Sequence, residues 1–551
     1  MRRLFALGLL FAAGLSVAVF SSGSAGASAP APSVSSAQTA FWQGVKALLP
    51  ANAGARPDVS VSSVSCASAG NCSAVGRYRN MSGNFQGLLL SETSGTWQRG
   101  VQAILPANAG SKPFAWFDSV SCSSPGNCAA VGFYNNSGNS HGLLVTETSG
   151  TWQPGVEAVL PANGSHTAGD VTINSVSCAS AGNCTAVGSY FDNATNGHGM
   201  LLTETSGTWQ QGIEPPLPAN ADALALTSVS CVSAGNCTVV GAYDDSSHHI
   251  QGLLLTESSG TWQTGVEAVL PANASSSAAF PQLQSVSCVS VGNCTAVGYY
   301  FNSAGRQGLL LTETSGTWQP GIEAILPANA RSNPWVGLPS VSCVSAGNCT
   351  AVGGYDDSSH HHQGLLLRQT SGTWQTGVAA PLPVNAGSNP NVHLDSLSCA
   401  SAGNCAAVGG YHDSSNTVQG LLLSETSGTW QRGVEAPLPA NAGPNPYGAV
   451  SSVSCGSAGN CTAVGHYYNR SDNEEGLLLS QPASIVCIVP NVKGETLAAA
   501  KRSIRGSHCS VGKVTYAYSG AVRAGHVISQ KPRAARHLQQ ATPVNLVVSA
   551  G

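Results

Sequence analysis

Residues 285–327 read SVSCVSVGNCTAVGYYFNSAGRQGLLLTETSGTWQPGIEAILP, and close copies of this stretch recur along most of the 551-residue chain. Its cysteines, Cys288 and Cys294, lie six apart and reappear as Cys66/Cys72, Cys122/Cys128, Cys178/Cys184, Cys231/Cys237, Cys343/Cys349, Cys399/Cys405 and Cys455/Cys461. The eight pairs are set 53 to 57 residues apart. A period of this length marks a repeat architecture, in which each unit buries its apolar face only by stacking on its neighbours.

Each unit contains four strand-like blocks separated by turn signals. In the copy above they are Gln284–Cys288, Cys294–Tyr300, Gln307–Thr314 and Thr317–Leu326. The Gly- and Asn-bearing segment Val289–Asn293 reads as a hairpin loop, which sets Cys288 opposite Cys294 at the hairpin mouth. Four antiparallel strands per unit suggest the blade of a β-propeller. The ends of the array sharpen this. A Trp-Gln-x-Gly strand follows seven of the cysteine units, at Trp97, Trp152, Trp209, Trp262, Trp318, Trp374 and Trp430, and is missing after the eighth. The missing strand stands at the other end, as Phe41-Trp42-Gln43-Gly44-Val45. A closed ring gains from this split, because the N-terminal strand completes the last blade; an open solenoid gains nothing. The expected fold is therefore mainly β, an eight-bladed propeller over residues 38–481 closed by its N-terminal strand.

Composition agrees. Only 9% of residues are charged and 6% aromatic, with 64 glycines, the palette of a turn-rich β protein. Arg2 and Arg3, an apolar run from Leu4 to Phe20 and the small residues Ala27-Ser28-Ala29 read as a secretory signal over 1–29, with a linker at 30–37. A stable membrane anchor is not expected. Export accounts for eighteen cysteines, an even number, as disulfides, one within each repeat pair. Zinc sites pair closely spaced cysteines with a second pair or with histidine, which the six-residue step does not supply.

Alternating strand direction places the cysteine loop and the Ser-Gly-Thr turn at one end of every unit. Those segments barely change between copies. The connections at the opposite end vary greatly: Tyr243–His249, Tyr355–His362, Lys112–Phe117, Asn333–Trp335 and Pro446-Tyr447. A variable loop surface on a rigid scaffold reads as a binding surface for a glycan or protein partner, with Trp116, Phe117, Trp335 and Tyr447 as candidate contacts.

After Pro482 the repeat stops and charge inverts. Residues 484–551 hold nine Lys/Arg and one acid, leaving eleven basic and twenty-five acidic residues for the repeats once Arg2 and Arg3 are set aside. Thr496–Arg505 is helix-like, and strands are expected at Val511–Tyr518, Val527–Gln530 and Pro543–Ser549. The pattern Val489-Pro490-Asn491-Val492-x-Gly494-x-Thr496-Leu497, then Gly525-x-Val527-Ile528-Ser529-Gln530-x-Pro532 and Val544-x-Leu546-Val547-Val548-Ser549, resembles a PASTA domain. It departs at Arg533–Arg536, where the family has Pro-x-Gly. The resemblance implies a small α+β module over 482–551 that attaches to peptidoglycan or muropeptides in the cell wall. Arg502, Arg505, Arg533 and Arg536 suit its stem-peptide carboxylates, and Cys487 is expected to pair with Cys509.

The repeated Thr-Glu-Thr-Ser-Gly-Thr-Trp resembles the Asp-box of sialidase-like propellers, with Thr314 replacing Asp and one residue fewer before Thr-Trp. That element is structural in its family. Sialidase chemistry needs clustered arginines, a Tyr nucleophile and acids. The propeller's arginines fall at different positions in different units, and Glu92, Glu147, Glu204, Glu257, Glu313 and Glu425 occupy one repeated slot. A catalytic acid needs one special environment, so no catalytic residue is assigned. The Asp-Asp-Ser-Ser-His-His loops read as solvated turns rather than metal ligands. No cofactor or nucleic-acid module is indicated. The expected protein is a secreted, non-enzymatic, cell-wall-associated binding protein; the alternative is an extracellular sialidase-like or polysaccharide-cleaving glycoside hydrolase.

Overall fold

The computed structural model describes residues 42–551 apart from 137, 166–169, 277, 482–486, 508 and 539–541. The expected signal (1–29), the N-terminal linker (30–37) and the junction at 482–486 lie outside the described residues.

The chain is mainly β, with eight antiparallel sheets, numbered here in the order of their cysteine pairs from Cys66/Cys72 to Cys455/Cys461. Sheet 5 shows the plan: strands Gln282–Ser290, Asn293–Asn302 and Gly305–Thr314 lie in sequence order, edged by Thr317–Trp318 and Ile322–Glu323. Both edge segments pair with Gly305–Thr314. The expected fourth block, Thr317–Leu326, is thus broken in two. At the break Gly321 turns its N–H to Val269 O of sheet 4 (2.7 Å), and a Cβ there would meet Leu309 Cδ1 at 2.8 Å. Only glycine admits that crossing.

Runs such as Leu309-Leu310-Leu311 are apolar without alternation because both faces of each sheet are covered. One core joins Val297, Leu310 and Ala324 of sheet 5 to Leu338, Val341, Leu365 and Trp374 of sheet 6. Another joins Val464, Leu478 and Ala47 to Val61, Val64 and Leu88, packing sheet 8 on sheet 1.

A Ser-x-Ser-Cys motif opens every copy, and its two hydroxyls stitch neighbouring sheets. Ser285 Oγ accepts from Val341 N (3.2 Å) and Ser287 Oγ from Cys343 N (3.0 Å). Sheet 8 gives the same pair to sheet 1: Ser452 Oγ accepts from Val64 N (3.2 Å) and Ser454 Oγ from Cys66 N (2.9 Å). Next to this motif the opening strand of each sheet carries a bulge, at Asp118 in sheet 2 and Asn174 in sheet 3.

Sheet 8 consists of Ala449–Ser457, Asn460–Tyr468 and Glu474–Ser480, edged by Gln43–Lys46 from the other end of the chain. The register runs from Gln43 opposite Ser480 to Lys46 opposite Leu477. Nine disulfides join all eighteen cysteines; in each repeat the partners sit directly across a hairpin, as Cys288 and Cys294 do with Cα atoms 4.1 Å apart. Closing so short a loop contributes roughly 2 kcal/mol in the chain-entropy description.

The C-terminal module has one helix, Leu497–Gly506, capped by Thr496 Oγ1 accepting from Ala499 N (3.3 Å). Its three-stranded sheet sets Pro543–Ser549 between Ser510–Ala517, parallel, and Val527–Lys531, antiparallel. Val489, Ala500, Ile504, Val527 and Leu546 form its core, and Cys487–Cys509 ties the entry strand to the helix end.

Candidate ligand-binding surface

At the variable-loop end each sheet rests on a polar support. Tyr300 is fully buried, and its hydroxyl donates toward Asn273 Oδ1 (2.8 Å) and Glu323 Oε2 (2.7 Å). Burial pushes the phenol of Tyr78, its counterpart in sheet 1, up to about 12. Above this support an Asp or Asn closes each turn. Asp357 Oδ1 accepts from Ser359 N (2.9 Å) and His361 N (3.0 Å), while Oδ2 accepts from Gln363 Nε2 (2.9 Å). Asp245 does the same in sheet 4. Asp245 and Asp357 are therefore committed to turn geometry, while Asp356 pairs with His362 and Arg331. Among the described residues no group of three or more His, Cys, Asp and Glu is placed to share a metal ion.

In five of the eight sheets the loop entering the opening strand turns through a residue with positive φ. Asp58, Phe280, Trp335, Asn391 and Tyr447 occupy this slot with φ of 37° to 49°. Positive φ on bulky side chains costs on the order of 1–3 kcal/mol and concentrates at functional surfaces. Phe280, Trp335 and Tyr447 stay 44%, 49% and 43% exposed. Phe301 stands between Phe280 and Trp335, with ring centroids 6.4 and 6.1 Å away, and Arg306 lies over Tyr299 at 3.9 Å. This makes one aromatic patch across sheets 5 and 6.

A second, charged cluster forms where sheets 8, 1 and 2 meet. The Arg77 guanidinium lies 3.8 Å from the Trp116 ring centroid and 4.7 Å from that of Phe85. Arg79 pairs with Asp58 at 2.8 Å and also covers Phe85. From sheet 8 come His466, with Nδ1 3.7 Å from Glu474 Oε1, and Tyr468, 6.1 Å from Tyr447. Desolvation raises the Glu474 carboxyl; Arg77 opposes that and Asp58 adds to it. Burial, helped by Arg77, drops His466 to about 4, so the ring is neutral near pH 7. Arg77 Nε, Trp116 Nε1 and His466 Nδ1 are buried without hydrogen-bond partners, polar groups that a ligand can satisfy.

The candidate residues thus separate. Trp116 and Tyr447 belong to the charged cluster and Trp335 to the aromatic patch. Phe117 lies in the core with no exposed surface, on the opposite side of its strand from Trp116, where it can touch no ligand. Asp58, Arg77, Arg79, His466, Tyr468 and Glu474 are additions that sequence reading missed. A group of acids with Arg and Tyr could not be assembled along the chain because its members are up to about 400 residues apart; the available signal was Arg77-Tyr78-Arg79, a doublet no other copy carries. In the C-terminal module Arg502, Arg505, Arg533 and Arg536 are all exposed.

The repeat cysteines pair across the hairpin mouth as the spacing predicts, and the structure adds that the two members of a pair differ in burial. Cys184, Cys237, Cys405 and Cys461 are buried, at 4%, 3%, 5% and 4% exposed, and pack into the cores between neighbouring sheets. Their bonded partners Cys178, Cys231, Cys399 and Cys455 are only partly buried. Cys237 Sγ accepts from Thr185 Oγ1 of the preceding sheet (3.3 Å), and Cys405 Sγ from Thr350 Oγ1 (3.7 Å). The second cysteine of these hairpins is turned toward the preceding sheet, so it is a core residue as well as a staple. Cys184, Cys237, Cys405 and Cys461 are therefore structural, with no part in the variable-loop surface.

Residues 488–550 match the PASTA domain family. This segment is a PASTA domain. No curated protein sequence matches the chain. Solved structures similar to it include YCF48 from Cyanidioschyzon merolae, at 12% identity and TM-score 0.37, covering 71% of this chain and 100% of that one. The NanB sialidase from Streptococcus pneumoniae aligns at 9% identity and TM-score 0.34 over 80% and 94% of the two chains. The Aleuria aurantia lectin aligns at 10% identity and TM-score 0.29 over 59% and 97%.

Proposed function

We propose that the chain is a secreted binding protein of the cell wall. In this reading the PASTA module, 482–551, attaches to peptidoglycan or muropeptides. Residues 38–481 form an eight-bladed propeller that presents its variable loops to a glycan or protein partner. The observation that carries it is a PASTA domain following a repeat array stapled by eight disulfides, bonds that persist in an oxidising compartment. Support for the ring is the recurrence between sheets 8 and 1 of the serine stitches found between sheets 5 and 6. Exposed Arg502, Arg505, Arg533 and Arg536 supply charge for stem-peptide carboxylates.

The test is a pull-down on purified peptidoglycan, comparing the full chain with one ending at Gln481. Loss of binding on truncation supports attachment through the PASTA module. Equal binding by both moves the wall contact to the repeats and overturns that assignment.

One observation favours the hydrolase alternative: Asp58 and Glu474 sit within electrostatic reach of each other, Arg77 and Tyr468. Release of reducing ends from an acidic polysaccharide, abolished by both Glu474→Gln and Asp58→Asn, would establish it.

A further inference from the structure

The glutamate that follows each Leu-rich strand lies at the disulfide-bearing end of its sheet. In sheet 3 Glu204 stands opposite Cys184 on one side and Trp209 on the other. Its side chain turns to the preceding sheet, where Oε1 accepts from Thr146 Oγ1 of sheet 2 (2.6 Å). Glu147 of sheet 2 likewise accepts from Ser73 Oγ (2.9 Å) and Ser91 Oγ (3.1 Å) of sheet 1. Glu92 of sheet 1 is turned to Thr462 and Ser480 of sheet 8. Glu257 and Glu313 hold the same position, opposite Trp262 and Trp318, in sheets 4 and 5. None of the five is more than 5% exposed.

Hydroxyls alone offset little of the cost of burying a carboxylate. Glu92, Glu204, Glu257 and Glu313 each keep a buried Oε2 with no hydrogen-bond partner. No charged group compensates. Desolvation raises all five carboxyls, opposed by the hydroxyl bonds to Glu92, Glu147 and Glu204 and by nothing at Glu257 and Glu313. Arg99, the base on the Trp strand of sheet 1, is exposed and donates to Leu49 O instead (2.7 Å). The other three interfaces are built differently. Sheet 6 carries Gln369 here, and its amide donates to Thr312 Oγ1 of sheet 5 (3.3 Å). Sheet 7 keeps Glu425 but meets it with Arg368 of sheet 6. Sheet 8 has Gln481 after Ser480. The uncompensated carboxyls thus form one unbroken block, from the interface of sheets 8 and 1 to that of sheets 4 and 5.

We propose that this block is a pH-responsive part of the repeat array, whose sheets hold together tightly when the five glutamates are protonated and loosen at the disulfide-bearing end when they ionise. At the same position the interfaces among sheets 5, 6, 7 and 8 carry no uncompensated charge and do not respond. A protonated carboxyl has the shape and neutrality of an amide, and Gln369 shows that the position accepts one. The sign follows from burial. The folded chain holds protons that the unfolded chain releases, so this stability is complete below the ordinary carboxylate range and is lost as pH rises through the raised values. The charged cluster of sheets 8, 1 and 2 lies on the responsive side and the aromatic patch of sheets 5 and 6 on the other. The inference does not depend on what either of them binds.

The experiment is the melting temperature of the full chain near pH 4 and near pH 8, for the parent and for Glu257→Gln/Glu313→Gln. The double variant should match the parent near pH 4 and melt about 2 °C or more above it near pH 8. Gln369→Glu, which adds a carboxyl on the other side, should leave melting near pH 4 unchanged and lower it near pH 8. Glu425→Gln should also lower it near pH 8, because it strands the Arg368 guanidinium. Should the double variant not fold, backbone hydrogen exchange of the parent, corrected for the intrinsic effect of pH, reads the same device. Protection of the Trp-bearing edge strands should fall between pH 5 and pH 8 in sheets 1 to 5 and hold in sheets 6 and 7. The proposal is overturned if the double variant differs from the parent equally at both pH values, if Gln369→Glu acts alike at both, if Glu425→Gln raises melting near pH 8, or if protection changes equally on the two sides.

Discussion

Sheets 5 and 8 have the same backbone, but one is drawn from a continuous stretch of chain and the other from both ends of the array. In sheet 5 Glu323 supports Tyr300, with Gln307 as the neighbouring amide. In sheet 8 the polarity is exchanged. The slot of Glu323 is taken by Lys46, the slot of Gln307 by Glu475, and the two make a 2.7 Å ion pair. The carboxylate end is buried, with only 4% of the Glu475 side chain exposed, while Lys46 keeps 42%. An N-terminal strand bearing lysine finds a carboxylate partner at this position in sheet 8, where sheet 5 offers an amide. A glutamate-bearing strand placed on sheet 8 would meet Glu475. Seven sheets therefore need no instruction about their edge, since the chain delivers it, whereas the eighth must select its edge strand. Charge complementarity supplies that selection at modest cost in stability.

The contrast can be tested by changing either sheet. The largest effect should come from deleting residues 30–53, which removes buried Trp42 and Ala47 and the closing edge of sheet 8. We expect a loss on the order of 5 kcal/mol or more by thermal or denaturant unfolding, whereas a melt like that of the parent would remove the N-terminal strand from any role in closure. Next is Gly44→Val, since a Cβ at Gly44 runs into the Pro437 carbonyl; a cost of about 3 kcal/mol is expected, with Gly321→Val in sheet 5 as its internal counterpart.

Lys46→Glu is smaller and more specific. It leaves Glu475 facing a like charge, at a cost of about 1–3 kcal/mol given the half-exposed lysine. Adding Glu475→Gln should recover most of the loss by recreating the glutamate and amide pairing of sheet 5. A double-mutant cycle with no coupling would show that the swap carries no selectivity.

The smallest effect lies away from the seam and serves as a control. Asp118 is the bulge residue of sheet 2, and burial pushes its carboxyl up to about 7. Its counterpart in sheet 3, Asn174, donates to Leu226 O across the sheet interface at 2.9 Å. The folded chain holds a proton on Asp118 that the unfolded chain releases, so this stability is present below about pH 4 and declines as pH rises toward 7. Asp118→Asn should therefore match the parent near pH 4 and melt about 1–3 °C higher at pH 8. A constant offset at both pH values would contradict the assignment.

Much of the fold was legible because the repeat displays each strand eight times. The cysteine hairpin, the Leu-rich strand and the split Trp strand are patterns of spacing, and spacing survives in a linear text. What was not legible depends on neighbours in space. The fourth strand breaks at Gly321 because of Val269 O in the preceding sheet, which its own block does not reveal. Nothing in their own repeat shows that Ser285 and Ser287 are the stitches between sheets, because the N–H groups they accept from belong to the next copy. The pairing of Cys184, Cys237, Cys405 and Cys461 could be read from spacing, but their burial could not, because the adjoining sheet supplies it. The charged cluster was hidden most completely, since Glu474 reaches Arg77 only when the last sheet packs on the first.

The most direct test of the closing sheet is to place cysteines at Gln43 and Ser480, which stand opposite each other across the outer ladder of sheet 8. In Gln43→Cys/Ser480→Cys the account predicts an additional disulfide, seen as the absence of reactive thiols in the folded protein and as a single linked peptide pair after proteolysis. Two free, alkylatable thiols in a protein that is otherwise folded would contradict it.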